Sequence, residues 1–211
     1  MSSSSRSRGV AAVLACVLVV GLGGCSGEGA GPGGDGPQES SSAGAGASGT
    51  GTDASAPRVR TEVVVGTVVG RLPGPRRRTV AAKVARVVDG WWDAAFVERD
   101  YPSTRYGDAF PGFTRGARQA AQQQRALMST VRIGERIDGV RALRRRVSVD
   151  VLATGGSARA VTARTRMDFV TSGRVERRIR VQGRLRMIWQ DGGWKVFAFD
   201  VTQGPKPQGR A

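Results

Sequence analysis

The 211-residue chain contains no histidine. That absence excludes imidazole metal ligands and every Ser-His or Cys-His nucleophile pair. Aromatic residues are missing from the first 90 positions, all twelve lying between Trp91 and Phe199. Only the last 154 residues or so are therefore able to build a core, which is enough for one domain. Long apolar runs are missing too. The longest stretch near the N-terminus spans residues 10–20, where roughly 20 residues are needed to cross a bilayer.

What is present is a charge of +16 with an uneven distribution. Residues 1–24 carry Arg6 and Arg8 and no acid, residues 25–57 carry four acids and no base, and residues 58–211 carry 31 bases against 13 acids. A basic start, an apolar run and small residues before Cys25 give residues 1–24 the layout of an export signal. Leu22-Gly23-Gly24-Cys25 resembles the lipobox of bacterial lipoproteins. The resemblance implies acylation of Cys25, cleavage before it, and a protein anchored on the extracytoplasmic face of the cell membrane. Cys16 follows Leu14-Ala15 but leaves too short an apolar core before it, so it belongs to the signal. With Cys16 removed and Cys25 acylated, no thiol remains for a disulfide or redox role. Residues 25–57, beginning at the lipidated cysteine, are dominated by Gly, Ser, Ala, Pro and Thr, a composition that cannot bury enough apolar surface to fold. Its 32 residues after Cys25 span on the order of 30 Å as a flexible tether. Arginine outnumbers lysine 30 to 3, the ratio a GC-rich genome tends to produce, which points to an actinobacterial source and makes part of the basic excess compositional.

Residues 58–203 carry the domain, and 204–211 read as a disordered tail. Residues 62–69 are rich in valine and read as a strand or extended segment. From Thr79 the apolar spacing is helical, with Val80, Val84, Val87, Val88, Trp91, Trp92, Ala95 and Phe96 on one stripe. Thr114 is placed to cap a second helix over 115–129. Period-two alternation then begins, with turn chemistry at 154–157, 171–174 and 190–193 and a bend or bulge at Gly183. The expected class is α+β, with N-terminal helices packed on a curved antiparallel four-stranded meander. This element order, ending in a strand at Trp189, a glycine turn and Gly193-Trp194-Lys195-Val196, resembles the cone-shaped roll of the NTF2-like superfamily, in particular SnoaL-like and Mce-associated lipoproteins of actinobacteria. The resemblance implies an extracytoplasmic binding or interaction domain accessory to a cell-envelope complex; no cofactor or metal is expected from the residues. A SnoaL-like enzyme or carrier acting on an apolar small molecule is the alternative it also implies.

Two candidate regions emerge. The segment 100–115 is rich in aromatic, arginine and aspartate residues, and Tyr101, Arg105, Tyr106, Asp108 and Phe113 are either ligand or partner contacts or an Ω-like loop packing its own aromatics. Strand parity also collects Arg146, Arg164, Arg166, Arg178, Arg180, Arg184 and Arg186 on one sheet face, either as a solvated surface or as a site for an anionic envelope polymer, headgroup or acidic protein. The export signal argues against nucleic acid. Trp91, Trp92, Tyr101, Tyr106, Phe110, Phe113 and Trp189 line a pocket in an open cone, or fill it as core, the usual role of aromatics at helical spacing. Of the two adjacent tryptophans, one is expected to face the sheet and the other to lie at its margin. Asp168, on the polar parity, is expected in a surface ion pair, and no residue earns a catalytic assignment.

Overall fold

The computed structural model describes residues 58–206. The export signal, Cys25 and the rest of 25–57, and residues 207–211 of the tail lie outside them. Among the described residues the order is β1 (Thr61–Val69), α1 (Gly74–Trp92), α2 (Arg115–Gln123), α3 (Arg125–Met128), β2 (Gly139–Thr154), β3 (Ser157–Ser172), β4 (Arg178–Gln190) and β5 (Gly193–Pro205). The architecture is α+β, a helix packed on one five-stranded mixed sheet of order β1-β2-β3-β4-β5.

The sheet has five strands instead of four, and it is mixed. β2 to β5 run antiparallel in succession, whereas β1 joins the edge in parallel, Thr61 opposite Arg145 and Val69 opposite Leu152. β-branched residues make 61–69 a good strand, but its partner stands more than 80 residues away, beyond what local pattern reports. The turns follow the sequence more directly. Gly155-Gly156 and Asp191-Gly192 all have positive φ, the two-residue hairpin geometry that matches strand twist. Gly183 is glycine for a different reason: a Cβ there would overlap the carbonyl oxygen of Asp200 on β5. β5 runs on to Pro205, two residues into the expected tail.

α1 starts at Gly74, five residues before the expected Thr79, because Pro75 presets the first turn and three arginines continue it. After Trp92 the helix widens into a π-type turn, Asp93–Val97. The extra residue rephases the stripe, so that Ala95 and Phe96 remain under the sheet. Both Trp91 and Trp92 are fully buried, correcting the expectation that one would be marginal. The second helix breaks at Gln124 into α2 and α3. Its cap is as expected, the Thr114 hydroxyl accepting from the Ala117 amide at 3.3 Å.

The core lies between the helices and one sheet face. Trp91 packs edge-on against Phe96 and Phe113, Phe96 meets Phe169, and Phe110 meets Phe113. From the strands, Val147, Val149, Ala163, Met167, Val181, Leu185 and Val196 complete it. Trp91, Trp92, Phe96, Phe110 and Phe113 are thus core residues. Trp189, expected inside, is 48% exposed, stacked edge-on to Trp194 with the Lys83 ammonium over its ring. It stands one residue from the end of β4, in a depression it shares with Arg76, Val80 and Lys83 of α1.

Candidate functional site

Segment 100–115 is held inward. The Tyr101 hydroxyl donates to the Phe96 carbonyl at 2.5 Å and meets Thr130 Oγ1 at 2.7 Å, while Tyr106 reaches the same Thr130 oxygen at 2.9 Å. Burial pushes both phenols above their ordinary range. Arg99 stacks over the Tyr106 ring at 4.3 Å and donates to the Ala94 and Arg105 carbonyls. Phe113 is buried and bridges to Val196 at the β5 edge. Thus Tyr106 and Phe113 are withdrawn from solvent, and Tyr101 is largely so. Arg105 and Asp108 remain exposed, and Asp108 accepts from Arg99 at 3.2 Å.

The sheet face away from the helices carries the arginines that strand parity collects, and register resolves them into rows. One row crosses the sheet as Glu62, Arg146, Arg166, Gln182, Thr202, and the next as Ser148, Arg164, Arg184, Asp200. Arg146 therefore faces Arg166, and Arg164 faces Arg184, like charges directly opposite, an arrangement that destabilises a sheet unless acids or bound anions intervene. Acids answer part of it. Asp150 holds Arg164 at 2.7 Å, and Glu62 lies 3.2 Å from Arg144 and 3.7 Å from Arg146. Arg166, Arg184, Arg186 and Arg178 have no ion-pair partner among the described residues. Arg146, Arg164, Arg166 and Arg184 rim a shallow depression of about 570 Å³.

Beyond Arg186 the same face turns apolar. Val69, Leu152, Ala160 and Ile188 form the next row, ending at Lys195. Phe197 joins them at an irregularity in the β4–β5 register. Leu152 is 49% exposed and Phe197 44%. The face thus sets an exposed apolar strip beside a cationic one.

Two charged clusters escape sequence pattern. Asp168 is only 4% exposed, correcting its expected place on the surface. Arg180 holds it through two hydrogen bonds, 2.7 and 3.1 Å, and Lys206 stands at 3.8 Å. The Arg180 hydrogen bonds lower the Asp168 carboxyl below its ordinary value. Arg180 is thus committed to a carboxylate and is removed from the free arginines. The second cluster lies under α1, where Arg145, on the inward parity of β2, contacts Asp93 at 2.5 Å and Asp89 at 3.7 Å. Thr61 donates to Asp89 at 2.5 Å, yet burial is the larger influence and raises that carboxyl. Asp89 and Asp93, at i and i+4, with an arginine on an apolar strand parity, were the available signal.

Comparison with protein-family models, with curated proteins and with solved structures gives no match for this chain, so its function is argued from its own residues.

Proposed function

We propose that the protein is a lipid-anchored, extracytoplasmic, non-enzymatic module of NTF2-like type whose uncovered sheet face docks on anionic membrane surface. The observation that carries the reading is the pairing of Arg166, Arg184 and Arg186, without acidic partners among the described residues, with the exposed Val69, Leu152 and Phe197 strip beside them. Guanidinium groups suit phosphate headgroups geometrically, and an adjacent apolar strip inserts at the acyl boundary. The lipobox-like cysteine and the tether supply proximity, turning a weak surface attraction into an intramolecular one. The packing of Trp91, Phe96, Phe110 and Phe113 as core, and the absence of Asp and Glu from the lining of the groove beside residues 126–136, favour this module over a SnoaL-like enzyme, which needs room for a substrate against a carboxylate base.

The test is vesicle co-sedimentation of residues 25–211 carrying Cys25→Ser, so that neither an acyl chain nor the apolar run of residues 10–20 contributes. Binding to phosphatidylglycerol vesicles is expected, falling steeply with salt, with little binding to phosphatidylcholine. At about 1 kcal/mol for each basic residue near an anionic surface, Arg166→Gln, Arg184→Gln and Arg186→Gln together lower partitioning roughly a hundredfold. Unchanged binding of the triple variant, or equal binding to both lipids, overturns the reading.

A further inference from the structure

A second site lies at the other end of β4 from the apolar row. A groove of about 760 Å³ opens between the 126–136 segment and the joined ends of β4 and β5. Its volume is that of a small-molecule pocket, commonly about 300–1,000 Å³. Five cationic side chains line it, Arg132, Arg136, Arg177, Arg178 and Lys206, and no Asp or Glu does. The carboxylate that reaches Lys206, Asp168, is already held by Arg180. Between these cations the lining is apolar, with Leu127 38% exposed and Ile133, Ile179 and Pro205 beside it.

The frame is fixed before any ligand arrives. The Lys206 amide donates to the Arg178 carbonyl at 3.0 Å, and the Val175 amide to the Arg136 carbonyl at 3.1 Å. The Gln203 amide, oriented to donate, reaches the Leu127 and Ser129 carbonyls at 3.2 and 3.1 Å. The polar side chains of the wall are occupied, Ser129 donating to the Arg125 carbonyl and Thr130 shared between the two tyrosines. A ligand therefore meets clustered cations and bare apolar surface.

We propose that this groove binds a single anionic amphiphile, with a phosphate head among Arg132, Arg136 and Arg178 and an alkyl or acyl chain along Leu127, Ile133 and Ile179. A free inorganic anion would leave the apolar surface uncovered, and a neutral alkyl chain would leave the clustered guanidiniums repelling one another. The site is independent of the sheet face, sharing none of Arg166, Arg184 or Arg186.

The experiment is calorimetric titration of the full chain with decyl phosphate below its micelle concentration, beside inorganic phosphate and decanol. One-to-one binding of decyl phosphate is expected, with both comparison ligands at least about a hundredfold weaker, since each lacks one half of the recognition. The Arg132→Gln, Arg178→Gln double variant and Leu127→Asp each weaken it by about tenfold or more, whereas Arg166→Gln, Arg184→Gln, Arg186→Gln leaves it within about twofold at physiological salt. Methyl resonances of Ile133 and Ile179 in the unaltered chain provide a reading that does not depend on any variant folding. The proposal is overturned if decyl phosphate does not bind, if inorganic phosphate binds as tightly, if the groove variants bind as the unaltered chain does, or if those methyls do not shift on titration.

Discussion

The two faces of the sheet are made from alternate residues of the same strands, yet they differ in almost every physical respect. Toward the helices stand Val147, Ala163, Met167, Leu185 and Val196, all fully buried. Away from them stand Arg146, Arg164, Arg184 and Arg186, all exposed. Each face also holds a buried charge that breaks its pattern. Arg145 lies buried on the apolar side, where Asp89 and Asp93 neutralise it, and Asp168 lies buried on the basic side, where Arg180 does the same. The comparison teaches that period-two alternation assigns a face, while tertiary neighbours decide whether a charge on that face is free. Of the seven arginines that parity collects, Arg180 and Arg164 hold buried or half-buried carboxylates, and the surface that can meet an outside anion is correspondingly smaller.

Substitutions rank along this contrast. Phe169→Ala, on the packed face against Phe96, is expected to destabilise by about 3–5 kcal/mol, read from urea denaturation. Asp168→Asn breaks the charged hydrogen bonds to Arg180, whose own side chain is 18% exposed and keeps some access to water, so a loss of about 2 kcal/mol is expected. The same pair has a pH signature. Because the folded carboxyl titrates below its ordinary 3.8, its stabilisation is complete above that value and disappears as pH falls through the lower one. The Asn variant should accordingly lose the part of the acid dependence of the melting temperature that lies below pH 3.8. Arg184→Gln, on the open face between Arg164 and Asp200, should change stability by no more than about 0.5 kcal/mol, since relief of the like-charge pair offsets loss of the facing carboxylate. If Arg184→Gln destabilised as much as Asp168→Asn, the distinction between committed and free arginines would be wrong.

Much of the fold was legible because its determinants are local. The β-strand parities, the glycine turns at 155–156 and 191–192, the Thr114 cap and the apolar stripe of α1 each depend on neighbours a few residues away. What was hidden depends on distance along the chain. Residues 61–69 announce a strand but not that it pairs in parallel with β2. Trp92 looks marginal from helical spacing yet is fully buried, and Asp168 looks solvated until Arg180 and Lys206 close over it. The aromatic loop carried its own warning, since tyrosines and phenylalanines beside buried threonine are as good at tying a loop down as at holding a ligand. The 760 Å³ groove was illegible altogether, because Leu127, Ile133, Arg178 and Lys206 meet only through the return of β5 past the end of β4.

The parallel placement of β1 also has a consequence in time. Each antiparallel neighbour in the β2–β5 series is reached through a short turn, so those ladders can zip in order, whereas Thr61 must wait for Arg145, 84 residues downstream. Loop closure over such a span is slow relative to hairpin formation. The first strand to be synthesised is therefore expected to be the last to dock, and until it does, β2 stands as an open edge.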